Sequence, residues 1–310
     1  MTDPATAPAG TRVVAVLVTY HPDTAVLGRL LDRLAPQVDD VVVVDNGSHD
    51  ATLAQLTELV DGRGTLVALG HNTGIAAAQN TGIDWARERG ATHVLFSDDD
   101  SAPADDMVAR LVIAITSADP DDRVAAVGPV TVDPRTGEAP LVFTDHGLAP
   151  RRIGHLPDTD GAVVDVAFLI ASGCLVDMRA LDDVGGMNAN LFIDHVDLEW
   201  GVRARRAGWA LQVVIGADLR HSLGDTTRTV PLRSRAVHIQ SPVRNYYTVR
   251  NTVYLIRTFF DPLWRRGYTR WITRYIGYYL LAVPPRRTRL RLMARGLRDA
   301  RKGRLGPLTG

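Results

Sequence analysis

A chain of 310 residues with one cysteine and one lysine is unusual first for what it omits. The single thiol, Cys174, excludes an internal disulfide and suits a reducing compartment. Lys302 is the only lysine, so the basic residues are otherwise arginine, a bias of composition rather than of chemistry. Net charge is zero, and the chain as a whole offers no electrostatic argument for nucleic acid. No apolar run approaches the roughly 18–20 residues that cross a bilayer. Met1 to Gly10 is rich in Pro, Ala and Thr and lacks the basic start and apolar stretch of a secretory signal. No glycine-rich phosphate loop of the dinucleotide or P-loop kind is present. What remains is 45% apolar residues, ample material for a core.

The first hundred residues alternate short apolar runs with amphipathic stretches. Val13–Val18 reads as a parallel strand covered on both faces, and a helix follows over about Asp23 to Ala35 with Leu27, Leu30, Leu31 and Leu34 on one stripe. Val41–Val44 is a second strand, Thr65–Leu69 a third and Thr92–Phe96 a fourth, with helices between them. Such spacing predicts βαβ units and an α/β fold with a mostly parallel central sheet flanked by helices. Polar residues gather at the C-terminal strand ends: Thr19 and Tyr20, Asp45 and Asn46, Asn72, and Asp98–Asp100. Each is explained alone by turn chemistry, but together they line one crevice, where open α/β sheets bind ligands. Asp45 is suited to a base or ribose, and Asn72 and Asn80 to nucleotide edges. Without a phosphate loop, a diphosphate bound there calls for a metal.

The sequence Phe96-Ser97-Asp98-Asp99-Asp100-Ser101 supplies the acids for one. Three adjacent like charges repel unless a cation or water screens them, and a hard divalent ion prefers oxygen ligands. The competing reading is a solvated acidic turn. A helix is expected after it, from about Ala104 to Ser117.

The second half holds strands at Ala125–Pro129, Val164–Ile170 and Ala210–Ile215, with 133–161 read as a hairpin and mobile loop and 228–239 as a flexible crossing segment. Ser172 and Gly173 are small enough to let a backbone approach a sugar, or serve tight strand packing. Cys174, among apolar neighbours, is a core thiol. Three acids, Asp194, Asp197 and Glu199, meet Trp200 where an apolar strand joins a helix that ends at Gly208. Acids in a first helical turn also favour the helix dipole.

These stretches together resemble glycosyltransferase family 2, whose fold is GT-A, a Rossmann-like nucleotide half with a DxD metal motif followed by an acceptor half. The carrying residues are Val18-Thr19-Tyr20, Val43-Val44-Asp45-Asn46-Gly47-Ser48, Asn72-Thr73-Gly74, Ala78-Gln79-Asn80 and Ser97-Asp98-Asp99-Asp100. Phe192–Trp200, His221–Asp225 and Ser241-Pro242-Val243-Arg244-Asn245-Tyr246-Tyr247 with Arg250-Asn251 resemble its dTDP-rhamnosyltransferase branch. The likeness spans about residues 12 to 260. It implies an inverting, Mg²⁺- or Mn²⁺-dependent transfer from a nucleotide sugar to a glycan or lipid-linked acceptor, with UDP-galactofuranose as a rival donor and a silent nucleotide-sugar binder as the rival class. It implies Asp45 at the pyrimidine, Asp98 at ribose or metal, and Asp100 and His221 at the metal. Thr19, Tyr20, Asn46, Asn72, Asn80, Ser172, Gly173, Trp200 and Arg244 are expected around the substrates, Arg244 facing a phosphate. Val196 stands where the family has Glu in its acidic pair, and Asp197 keeps the base position, with Asp194 as runner-up and Glu199 orienting the site.

The implied organisation is a disordered 1–11, a catalytic domain over 12–240 divided at 101/102, and a C-terminal helical extension over 241–310. From Arg286 to Arg304 there are nine basic residues and one acid. With the aromatics of 264–279, this points to a helix at an anionic membrane surface, a packed helical pair with a solvated tail, or a homo-oligomer contact. The setting expected is cytoplasmic, peripheral on the inner face of the plasma membrane, without a nucleic-acid partner.

Overall fold

A computed structural model of the protein describes residues 10–132, 142–144, 150–153, 155–221, 226–229 and 236–309. Its strands are β1 (Val13–Thr19), β2 (Asp40–Asp45), β3 (Thr65–Ala68), β4 (His93–Asp98), β5 (Ser101–Pro103), β6 (Val124–Val132), β7 (Phe143–Thr144), β8 (Arg151–Arg152), β9 (Val163–Asp165), β10 (Leu175–Asp177), β11 (Ala210–His221), β12 (Thr226–Thr229) and β13 (Ala236–Ile239). The helices are α1 (Thr24–Leu34), α2 (Asp50–Val60), α3 (Ile75–Glu88), α4 (Met107–Thr116), α5 (Met178–Val184), α6 (Val196–Arg206), α7 (Pro242–Thr258), α8 (Pro262–Ala282) and α9 (Arg286–Arg301).

The main sheet runs β3-β2-β1-β4-β10-β6-β11-β5, with β9 also on β11. The first four strands are parallel, as are β6 and β11, while β10, β5 and β9 pair antiparallel. Alternation along β1 explains the two layers. Ala15 and Leu17 face a core shared with Leu27 and Leu31 of α1, Leu56 of α2 and Leu111 of α4. Val14 and Val16 face the other, with Ala78 and Ile83 of α3, Leu181 of α5 and Trp200 of α6. Strand order reverses between β1 and β4. Their C-terminal ends, where Val18 is level with Asp98, therefore splay open as a crevice.

Several boundaries differ from expectation: β11 runs on from Ile215 to His221, and the crossing segment read over 228–239 contains β13 paired with β12. Ser101–Pro103 forms β5 against β11 at the far edge, which delays α4 to Met107. The strand read over 164–170 is only Val163–Asp165. Val166, Ala167 and Leu169 are buried beyond it without a ladder. Leu175–Asp177, a stretch with no strand expected, is instead β10 near the sheet centre. An apolar run reports burial, and burial alone does not say which run carries the hydrogen-bond ladder.

The helices after residue 241 are joined to the body. Leu255, Phe260 and Trp264 share a core with Leu198 and Val202 of α6. Residues 1–9 of the N-terminus, most of 133–149, residues 222–225 of the His221–Asp225 stretch and 230–235 of the crossing segment lie outside the described residues, and so does the side chain of His221.

Candidate active site

At the crevice lies a cleft of about 680 Å³. Thr19, Tyr20, Asn46 and Asn72 line one side, Asp98, Asp99 and Asp100 the floor, and Asp194, His195, Asp197 and Arg244 the other side. The fold thus brings together residues more than two hundred positions apart.

The side of the cleft built by the loops after β2 and β3 is held by its own turn chemistry. Asp45, 1% exposed, accepts from the backbone N–H groups of Gly47 and Ser48 and from the hydroxyls of Ser48 and Thr19. Its carboxylate shapes the β2 turn from behind the cleft wall. Asn46 Oδ1 accepts from Thr73 N at 2.8 Å, and Asn46 Nδ2 donates to Asn72 Oδ1 at 3.2 Å, so the loops after β2 and β3 are tied into one rim. Gly74 opens α3 with φ +88°, and a Cβ there would sit 2.6 Å from the Phe192 carbonyl oxygen. Gly74→Ala is therefore expected to cost about 2–4 kcal/mol from backbone strain plus overpacking, read as a lowered melting temperature.

Asp98 ends β4, and its backbone N–H lies 3.4 Å from Ser172 Oγ, which in turn meets Ser101 Oγ at 2.5 Å. Ser172 thus braces the acidic turn. Gly173 packs away from the cleft, since a Cβ there would lie 2.6 Å from Pro129. Among the described residues no group of three or more His, Cys, Asp or Glu side chains forms a preassembled metal site. Two cleft-facing carboxylates, Asp98 and Asp100, are nonetheless an oxygen donor set of the size Mg²⁺-type ions use when substrate phosphate completes their shell.

The opposite wall is a strained loop. Phe192, Asp194 and His195 have φ of +66°, +66° and +65°, a region that non-glycine residues seldom occupy. Such residues persist only where their surroundings over-determine them. Here α7 does so. Asn251, wholly buried, places Nδ2 at 3.0, 2.8 and 2.9 Å from the carbonyls of Leu191, Ile193 and Asp194. Arg250 Nη2 adds 2.8 Å to Leu191 O, and Thr252 Oγ1 meets His195 Nε2 at 2.7 Å. Arg250 and Arg244, six apart, accordingly face different ways. Arg244 reaches the cleft and pairs with Asp194 at 2.5 Å, with Thr248 Oγ1 donating to the other carboxylate oxygen at 3.2 Å.

Asp197 is treated differently. It opens α6, accepts from the Leu198 N–H at 2.8 Å and has no ion-pair partner among the described residues. Burial, with the like charges of Asp98 and Asp194 added, pushes its carboxyl up to about 6. Burial lowers the neighbouring His195, against the pull of Asp194, and so favours its neutral form.

Besides Asp45, three expected site residues lie behind the wall. Asn80 exchanges hydrogen bonds with the Met187 backbone, 2.9 Å to its carbonyl and 2.7 Å from its N–H. Glu199 accepts from Arg203 Nε, whose Nη atoms hold the carbonyls of Val184 and Gly186, and Trp200 Nε1 donates to Gly185 O. All three fix the loop after α5. Gln79 was not singled out, yet it is 4% exposed on the cleft floor and its Oε1 has no hydrogen-bond partner among the described residues. It stands within the family-like stretch Ala78-Gln79-Asn80, and no periodicity separates it from core.

The model of the family described as Glycosyl transferase family 2 matches residues 15–183, more than half of the chain. The chain belongs to glycosyl transferase family 2. This glycosyltransferase is 33% identical over 254 residues to the dTDP-rhamnosyl transferase RfbF of Shigella flexneri, covering 81% of this chain and 82% of that one. The match runs well past the family model, so it also takes in part of the α6–α7 half. Among solved structures, GalNAc-T7 with UDP, GalNAc and Mn²⁺ superposes with a TM-score of 0.62 at 14% identity, covering 94% of this chain. This chain spans 56% of GalNAc-T7. S. aureus TarS 1-349 in complex with UDP-GlcNAc gives 0.57 at 15% identity, over 95% of this chain and 82% of that one. The GT-A-like fold is thereby common to all three.

Proposed function

We propose that this glycosyltransferase moves L-rhamnose from dTDP-L-rhamnose to a hydroxyl of a cell-envelope polysaccharide or lipid-linked glycan, with inversion, on the cytoplasmic side. One observation carries the reading: Asp197 is a carboxylate without a cationic partner among the described residues, opposite the acidic turn in a single cleft. The RfbF likeness supports the donor.

In this reading the acceptor hydroxyl oxygen attacks the anomeric carbon, the bond from that carbon to the diphosphate oxygen breaks, and Asp197 takes the hydroxyl proton. A single displacement inverts the anomeric centre. Asp194 is held by Arg244 and Thr248 and so keeps the loop in place rather than taking the proton. The rim of Asn46 and Asn72 and the side chains of Thr19 and Tyr20 bound the nucleotide side. Asp98 and Asp100 would hold Mg²⁺ or Mn²⁺, which supplies positive charge for the departing diphosphate when bound. His221 is proposed as a further ligand. His221→Ala is then expected to remove most of the gain in dTDP affinity that Mn²⁺ brings, by calorimetry, and an unchanged gain would return His221 to a structural part.

Incubation with a panel of nucleotide sugars and mass spectrometry of the products tests the whole. Transfer from dTDP-rhamnose is expected. Turnover with UDP-galactofuranose alone would replace the donor, and nucleotide binding without any turnover would make the chain a silent binder.

A further inference from the structure

The charge of this neutral chain is strongly divided. Residues 262–310 carry thirteen basic residues and one acid, so they hold a net +12 against −12 for the rest. The one acid, Asp299, is buried under the hydroxyl of Tyr246. None of Arg265, Arg266, Arg270 and Arg274 on α8 meets a carboxylate among the described residues. Like charges left unpaired along a helix repel one another, which an anionic partner would relieve.

The face is not merely basic. Leu263, Arg266, Arg270, Arg274 and Leu281 recur at helical spacing on the outward side of α8, with Trp271 at its margin. Leu281 is 77% exposed, Leu263 44% and Trp271 42%. The opposite side, Trp264, Ile272 and Tyr279, is buried in the body. The two leucines lie about 27 Å apart along the axis at the α-helical rise. Such a strip is long, with cations between apolar anchors. It matches a planar surface that offers phosphates above hydrocarbon. A nucleic acid would satisfy the arginines and leave Leu281 in water. No helix among the described residues is long and apolar enough to cross a membrane.

The strip also adjoins the cleft. Trp271 packs edge-on against His195, with centroids 5.9 Å apart, and His195 lines the cleft wall.

We propose that α8 docks this glycosyltransferase on an anionic phospholipid bilayer, with Leu263, Trp271 and Leu281 at the acyl boundary and Arg266, Arg270 and Arg274 on headgroup phosphates. Docking sets the Trp271 side of the cleft at the membrane surface. That consequence for a lipid-linked acceptor rests on the function proposed above, whereas docking itself does not.

Co-sedimentation of the full chain with vesicles tests this. Equal parts of phosphatidylcholine and phosphatidylglycerol are expected to retain the protein at low salt, with release at high salt, and phosphatidylcholine alone is expected to retain far less. Replacing Arg266, Arg270 and Arg274 together by Glu should weaken retention by on the order of a hundredfold or more. Leu281→Asp should weaken it at unchanged net basicity of the arginine row. Calorimetry of dTDP binding, expected to be unchanged in both variants, confirms that they are folded and reports on the nucleotide site separately. Equal retention on neutral vesicles, no retention on anionic ones, unaltered retention of the triple variant, or preference for added duplex DNA over vesicles would each overturn the proposal.

Discussion

Asp197→Asn is expected to lower kcat by about 10²–10⁴-fold while the affinity for dTDP stays within a few-fold. The substitution keeps the shape of the side chain and removes only its capacity to take a proton. Its effect should therefore fall on turnover rather than on binding. The same carboxyl, raised to about 6, predicts an acid limb in kcat/KM centred near that pH and absent from the variant's residual activity. Linkage supplies an independent check. A carboxyl whose folded pKa lies above its unfolded value binds its proton more tightly when folded. Between about pH 4 and 6 the unfolded chain loses that proton first, and stability falls as pH rises through the window. Above it the penalty is fully present. Asp197→Asn should accordingly melt higher than wild type at pH 8 without metal, and the difference should vanish near pH 3. An unchanged kcat, or a variant less stable at pH 8, would take Asp197 out of the role.

Asn251→Ala should be the most damaging change outside the cleft. It strips Nδ2 from three buried carbonyls and leaves the loop of Phe192, Asp194 and His195 to bear its own positive φ values. Leaving buried carbonyls unsatisfied costs roughly 1–3 kcal/mol each. Water entering the truncated site would recover part of that. A loss of about 3 kcal/mol corresponds to a drop of about 6–12 °C in melting temperature for a domain of moderate size. Activity at a temperature where the variant is still folded should fall further than stability alone accounts for, because the same loop carries Asp194 and leads into Asp197. A stable variant with full kcat would show that Arg250 and the packing of Phe192 on Tyr247 hold the loop unaided.

The sheet of the first hundred residues was legible because β1, β2 and β4 are buried on both faces and read as unbroken apolar runs. The acids at their ends were legible because charge beside such a run needs a reason. β10 was not, since Leu175–Asp177 is three residues long and pairs with strands distant in sequence. Asn80, Trp200 and Glu199 are polar or aromatic residues beside cleft residues in sequence, yet they point into the loop after α5. One helical step changes the facing direction by about 100°, and composition does not report it.

By itself the sequence determined the family through the resemblance of its motifs, and the parallel first half of the sheet and the inventory of acids through local patterns of burial and charge. Only the tertiary structure decided how the acids divide their work. Asp194 received Arg244 from a helix fifty residues away and is ion-paired, while Asp197 received burial, one backbone N–H and the like charges of Asp98 and Asp194, with no cation beside it among the described residues. Two carboxylates three positions apart are alike as letters. The field that separates them comes from α7 and β4, and it exists only once the chain has folded.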